Sequence, residues 1–411
     1  MAAAGVAQPN VLRRLFKAFD HRDFRVMWLG ACTSSIGTWM QQLAQAWLVY
    51  DLSKDPFYLG LDTFLAQFPI MALSLFGGVF ADRTNRRNQL LMSQYIQMAC
   101  AFALTLLIVT GHVKVWHILV LSFVVGVGQS FGGPAYQALL PTLVGKEDMS
   151  NAIVLNSIQF NIARVIGPTL GGLALASLGA AWCFGLNGLS FIAVIASLFM
   201  ITVRYVPAKS SEPILVAMKK GFAFIREREG MEPLIILAFL MTLLGLPLST
   251  FLPVFAKEVF NKGADAYTVF LVCSGLGSVF GAITLGAIGK VQKQGRATLL
   301  VLALLGALII AFALCKWLPL SCMLLFCCGA TLMASFSLVA TLVQAICSDE
   351  MRGRVMSVYN VAFRGGMPVG GLILGRVIPV VGVSVTIACV GGLLVCVALY
   401  FLLVHRRIAD I

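Results

Sequence analysis

Long apolar runs broken by short polar, Gly- or Pro-containing turns recur from residue 24 to residue 404, and their length decides the fold class. A helix needs about 20 residues to cross roughly 30 Å of hydrocarbon. Twelve runs reach that scale, at 24 to 50, 57 to 81, 88 to 110, 115 to 140, 152 to 177, 182 to 204, 231 to 255, 266 to 289, 297 to 315, 319 to 345, 355 to 377 and 382 to 404. The pattern predicts an all-α membrane protein with twelve transmembrane helices in two pseudosymmetric six-helix bundles. The expected divisions are a leader (1–23), an N-terminal bundle (24–204), a linker (205–230), a C-terminal bundle (231–404) and a tail (405–411).

Polar positions set these divisions. Between Tyr205 and Gly230 charges cluster while Leu215, Met218, Phe222 and Ile225 keep helical spacing, which predicts an interfacial helix in a cytoplasmic linker. A repeat marks the two bundles as copies: Arg164 and Pro168 recur as Arg364 and Pro368, 200 positions on, amid similar glycines. In the leader, Leu12, Leu15, Phe16 and Phe19 share one helical face and Arg13, Arg14 and Lys17 the other, as in a helix lying on the inner leaflet. The first 23 residues lack the apolar core and cleavage site of a signal peptide.

Composition agrees with a lipid solvent, being 59% hydrophobic and 11% charged over 411 residues. The net charge of +13 would suit nucleic acid, but the bases alternate by loop. Lys54, Lys114, Lys257, Lys262 and Lys316 stand on one side of the expected spans. The bases up to Arg25, those of loops 83–87, 146, 204–228, 290–296 and 352–354, and Arg406 and Arg407 stand on the other. Positive loops face inward, so both termini are expected in the cytoplasm of an inner (plasma) membrane protein, with no nucleic-acid partner. The 11 cysteines are scattered through the spans without a Cys-x-x-Cys pair and read as packing residues. No phosphate loop, His/Glu metal pair or nucleophile with a base is found, so an enzyme, a cofactor or a bound metal is not expected.

The stretch from Gly77 to Arg87 resembles the loop between the second and third helices of major facilitator transporters. The family pattern of Gly, three residues, Asp, Arg, two residues and a basic pair is matched by Gly78, Asp82, Arg83, Arg86 and Arg87. Gly167, Pro168, Gly171 and Gly172 resemble the fifth-helix pattern of antiporters in that superfamily, with Ala163 in place of the leading Gly. Nearly the whole chain is similar to the bacterial branch that holds enterobactin exporters and macrolide efflux pumps, through Pro134 to Pro141, Asn151-Ala152, Asn156-Ser157, and Gln344 with Asp349 to Arg354. The resemblance implies the major facilitator fold and export of a small amphipathic or anionic molecule by a drug:proton type antiporter. The fourth helix lacks the Arg common in proton-coupled drug exporters, and Lys290 stands where Asp82 stands in the first half.

Candidate residues follow from cost. Ionisable groups inside a membrane are expensive and functional by default. Asp62 is the acid clearly within a span, roughly 8 Å from its outer end, where it either exchanges a proton during transport or faces vestibule water. Arg164 and Arg364 lie near the midplane and could hold an anionic substrate or satisfy buried carbonyls. Polar stripes through Thr38, Gln41 and Gln45, through Asn161, and through Thr341, together with Gln67 and Tyr359, are expected to line a wet central cavity or glue helices. Trp39, Trp47, Phe68 and Met71 could add apolar binding surface. Asp82, Arg83, Arg86 and Arg87 would meet Asp349, Glu350 and the start of the eleventh helix as a cytoplasmic gate. Gly167, Pro168, Gly171, Gly172 and Pro368 are expected to pack helices closely or hinge them. The expected partners are a small-molecule substrate, protons and membrane lipids, in a monomer. Facilitated diffusion or import, lysolipid translocation, and a transport-inactive receptor or scaffold are the alternatives.

Overall fold

Helices α1 (Arg22–Ser53), α2 (Pro56–Arg83), α3 (Arg86–Val109), α4 (Val115–Leu143), α5 (Met149–Ser177) and α6 (Ala180–Met200) are followed by α7 (Met231–Val259), α8 (Ala264–Ile288), α9 (Gln294–Leu314), α10 (Leu318–Ile346), α11 (Arg352–Val381) and α12 (Val383–Val404). The computed structural model describes residues 16–202, 223–228, 230–289, 293–348, 351–404 and 408–409, and among them it holds no strand. Ten of these helices are long and apolar enough to cross a membrane. The two others, α1 and α5, are diluted by polar positions, Ser34, Thr38, Gln41 and Gln45 on one and Asn156, Asn161 and Arg164 on the other. Twelve spans were expected, and hydropathy marks ten because these two turn polar faces inward.

Local chemistry sets the helix ends. Asp55 accepts from the Phe57 N–H at 2.9 Å with Pro56 in the first turn, and Asn85 does the same for Arg87 at 3.0 Å. Gly179 and Gly382 close the short turns after α5 and α11, both at φ +90°, a conformation that side chains resist. Helix α7 is interrupted near Pro247 and Pro253, where the ring removes a backbone donor, and ends in a π-turn at Phe255–Val259.

The leader departs from expectation. Lys17–Asp20 forms a single 3-10 turn folded against the start of α5. Ala18 N–H donates to Asn151, Lys17 and His21 both pair with Asp148 at 2.8 and 2.9 Å, and Phe19 meets Trp28 edge-on. Of the face expected to lie on a leaflet, Phe19 packs on Trp28 and Phe24 while Phe16, stacked on Phe19, stays exposed. Residues 1–15 and nearly all of the expected linker helix lie outside the described residues; 223–227 are helical, with Ile225 buried.

Within α1–α6 the principal packing pairs are α1 with α5 and α6, α2 with α4, and α3 with α4 and α6. Within α7–α12 they are α7 with α11, α8 with α10, and α9 with α10 and α12. The groups meet along α2–α11 and α5–α8. Gly60 abuts the Gly371 carbonyl across the first seam and Gly172 abuts Thr268 across the second, so a Cβ at either glycine would collide. Lipid tails are as apolar as leucine, and close backbone fit of this kind, rather than a hydrophobic drive, holds helices together in a bilayer.

The core is unevenly shared. At the face away from the termini, called the far face, Leu43, Tyr50, Leu59, Ile118 and Phe184 of the first group belong to one buried cluster with Phe255, Phe270 and Phe312 of the second. At the terminal face the first group has a separate cluster around Phe24, Met27, Leu139 and Leu198. Among the described residues the two groups share a buried cluster at the far face, while the first group keeps one of its own at the terminal face.

Candidate transport site

Helix α1 carries the polar stripe expected of it, and the first group folds around that stripe. Thr38, Gln41, Gln42 and Gln45 from α1, Gln67 from α2, Gln97 from α3, Ser122 and Gln129 from α4 and Asn187 from α6 line a partly open pocket of about 90 Å³. Drug-sized ligands occupy roughly 300–1,000 Å³, so this pocket holds water or one polar group of a larger molecule. Its walls are paired among themselves. Asn187 donates to Gln41 at 2.6 Å, Gln129 to Gln97 at 3.1 Å, and Gln97 to Ser93 at 3.1 Å.

Asp62 lies just behind the wall. Its residue is 9% exposed, so it is buried rather than facing vestibule water. Ser122 Oγ donates to Oδ1 at 2.5 Å and Gln45 Nε2 donates to Oδ2 at 2.8 Å; the same amide reaches Ser122 Oγ at 2.9 Å. Among the described residues no Lys, Arg or His pairs with this carboxylate.

The other candidates divide. Thr38, Gln41, Gln45 and Gln67 meet at the pocket. Asn161 and Thr341 hydrogen-bond back to their own helices, at Ser157 and Ser337. Arg164 stacks over Trp39 with 5.9 Å to the ring centre, and Trp39 meets Phe160 edge-on. Arg364 is exposed, as are Thr341 and Gln344, although all three sit in helices of the second group. Tyr359 corrects the expectation. It is 5% exposed and stacked on Phe363, which in turn meets Phe336, because an aromatic stripe at helical spacing serves a core as readily as a cavity.

The glycines act in close packing. On α5, Gly167 and Gly171 face α1 and Gly172 faces α8; on α11, Gly366 and Gly370 face α7 and Gly371 faces α2. Each copy of the repeat therefore binds the first helix of its own group and a seam partner from the other. Pro168 and Pro368 lie inside α5 and α11.

Of the expected gate, Gly78 has open space beside it. Asp82 and Arg83 end α2 with side chains outside the described set, as are Asp349 and Glu350. Arg86 donates to the Ala138 carbonyl at 2.9 Å and the Arg87 guanidinium lies 5.3 Å from the Phe199 ring centre, contacts that tie α3 to α4 and α6. A latch that pattern reading missed sits at the far face. Lys257 pairs with Asp51 at 2.6 Å and lies over the rings of Trp47 and Tyr50, Tyr50 donates to Glu258, and Trp47 stacks on Tyr267. Also missed were Ser122, Gln97, Gln129 and Asn187, neutral polar residues inside apolar runs that mark nothing singly until the fold gathers them around one pocket.

Residues 15–410 match the family described as transmembrane secretion effector. The chain belongs to that family. This secretion effector is 24% identical over 391 residues to macrolide efflux protein A of Streptococcus pyogenes, covering 92% of this chain and 94% of that one. It is 26% identical to a staphyloferrin A transporter of Staphylococcus aureus, covering 91% and 94%, and 25% identical to an enterobactin exporter of Shigella boydii, covering 86% and 85%. Among solved structures it resembles a POT family transporter in complex with 5-aminolevulinic acid, with a TM-score of 0.75 over 94% of this chain and 96% of that one at 13% identity. It also resembles an inward-facing bacterial homologue of the lysosomal transporter Spinster, with a TM-score of 0.69 over 94% and 96% at 15% identity. The secretion effector thus has the major facilitator fold and is a multi-pass membrane transporter of the efflux branch, not an enzyme.

Proposed function

We propose that this secretion effector is a proton-coupled exporter of the inner membrane, with both termini in the cytoplasm, and that it moves an amphipathic or anionic small molecule outward by alternating access. The observation that carries the reading is Asp62, buried without a cation partner among the described residues and hydrogen-bonded by Ser122 and Gln45 behind a polar pocket. An uncompensated charge is costly to bury, and binding a proton removes it. One glutamine, Gln45, and one serine, Ser122, can stabilise either state of the acid, as a group that changes state every cycle requires.

The relatives named for efflux and export support the outward direction. Arg364, exposed in the second group, and Arg164, over Trp39, offer a charge and an aromatic surface to an anionic, ring-bearing cargo. Relatives named for macrolide efflux and siderophore transport fit cargo of that size and polarity. The reading takes the monomer as the transport unit.

Uptake into everted membrane vesicles, with a panel of macrolides, catecholate and carboxylate siderophores and dyes, tests it. At least one compound is expected to accumulate under a proton gradient, and Asp62→Asn is expected to reduce that to the level of vesicles lacking the protein. Accumulation indifferent to the gradient would identify a facilitator, and undiminished accumulation in Asp62→Asn would remove the carboxyl from the mechanism.

A further inference from the structure

Asp62 does not itself line the polar pocket, whereas Ser122 and Gln45 do. These two groups, one on each carboxylate oxygen, therefore stand between pocket water and the carboxyl. Their chemistry differs. The Gln45 amide nitrogen donates two hydrogens and has no lone pair available to accept one, so it can hold Oδ2 but cannot relay. The Ser122 hydroxyl has one hydrogen and two lone pairs. That hydrogen points at Asp62 Oδ1 across 2.5 Å, one lone pair receives the Gln45 amide at 2.9 Å, and the second is left to the pocket side.

Resting on the proton-coupled reading above, we propose that Ser122 is the proton relay of Asp62 and that Gln45 positions it. On uptake, a hydronium in the pocket gives its proton to Ser122 Oγ as the Ser122 O–H hydrogen moves to Asp62 Oδ1. One O–H bond breaks and one forms at the serine, water is left in the pocket, and the carboxylate becomes a carboxylic acid. Release runs the same bonds in reverse. The Gln45 bond to both partners keeps the hydroxyl from rotating toward its own helix, where serine hydroxyls ordinarily find a carbonyl. Of the helices packed on α2, α1 brings Gln45 to Asp62 and carries Asp51 nearer the far face, α4 brings Ser122 and carries His117 at its far-face start, and α11 carries Arg364 and, over Phe57 nearer the far face, Arg376. No second acid or base hydrogen-bonds to the carboxyl among the described residues.

The test needs no substrate. Purified protein in lipid nanodiscs is taken through a rapid pH jump while the carboxylic C=O stretch is followed by infrared spectroscopy, with Asp62→Asn identifying the band. Ser122→Ala is expected to reach the same final amplitude at least about tenfold more slowly, the low side of what a positioned proton-transfer group contributes. Ser122→Thr, which keeps the hydroxyl, is expected to restore the rate, and Gln45→Leu to fall between. A wild-type rate in Ser122→Ala overturns the relay and leaves the coupling reading standing. A loss of amplitude shared by Ser122→Ala and Ser122→Thr shows a structural role and also overturns it. If no band is removed by Asp62→Asn, Asp62 does not titrate and the coupling reading fails as well.

Discussion

Among the described residues the interior of α1–α6, the wet side, buries amides and an acid, and that of α7–α12, the dry side, buries rings with only Ser and Thr hydroxyls among its polar groups. In the first group amide side chains pair with one another around Asp62; in the second, Phe255, Phe270 and Phe312 form one ring cluster and Phe336, Tyr359 and Phe363 another. The two copies of the repeat build the same seam, each with a glycine against its partner, and among the described residues the buried acid lies in the first group. On the proposed reading the first group senses the proton and the second follows it.

The largest structural effect should come from the dry side. Phe312 is fully buried with ring centres of Phe255 and Phe270 at 4.9 and 6.0 Å. Phe312→Ala should cost about 3–5 kcal/mol, read as a lowered midpoint of thermal unfolding in detergent, while the Asp62 infrared band stays where it is. A shifted band would show that the two interiors are coupled more tightly than their composition implies. On the wet side, Gln97→Leu leaves the Gln129 amide without its acceptor and should cost about 1–3 kcal/mol. Adding Gln129→Leu should recover much of that loss, since removing both partners is nearly neutral. Failure to recover would mean that pocket water, not pairing, holds these amides.

Smaller effects belong to the boundaries. Asp51→Asn removes one ion pair between α1 and α7 at the far face, exposed enough to be worth about 0.5 kcal/mol. Labelling of a cysteine introduced at Phe57 should rise by roughly a factor of two, whereas no change would leave Tyr50, Glu258 and the Trp47–Tyr267 stack as the whole latch. The smallest effect concerns the clasp at the leader. Lys17 and then His21 hold the Asp148 carboxyl below the usual carboxylate range, and Asp148 raises the Lys17 amine. The acid's contribution is therefore full above its unfolded pKa and is lost as pH falls through the lower folded one. That of the lysine persists until pH rises through its raised value. Tryptic cleavage after Lys17 should be slow at neutral pH and fast in Asp148→Asn, and unchanged cleavage would show that the clasp does not hold the leader.

How much could be read in advance depended on what enforced it. Span length is imposed by the bilayer, so the helices from α2 onward follow the apolar runs closely; hydropathy alone undercounts at α1 and α5 because the residues that make those helices useful also make them polar. The Gly/Pro repeat was legible as a repeat, and the contacts of Gly60, Gly172 and Gly371 explain why small residues stand there. Asp62 was found through its cost in lipid. Ser122 was not, since a lone serine in an apolar run signals nothing until the fold brings it to an acid 60 positions away. Tyr359 could not be assigned between cavity and packing for the complementary reason, that a ring looks alike whether it faces a cargo or Phe363. The far-face latch escaped because Asp51 and Lys257 each look like ordinary loop charge.

The core shared at the far face but split at the terminal face bears on how the molecule responds to its surroundings. On the proposed reading, turning outward parts the groups where they share this cluster, and acyl chains enter the opening in place of the lost side-chain contacts. Oil replaces oil, so the work of separation is set by shape rather than by water. Chain length and stiffness of the host lipids then become reactants in the cycle. The same polypeptide should turn over at different speeds in membranes of different thickness, with no ligand added and no residue changed.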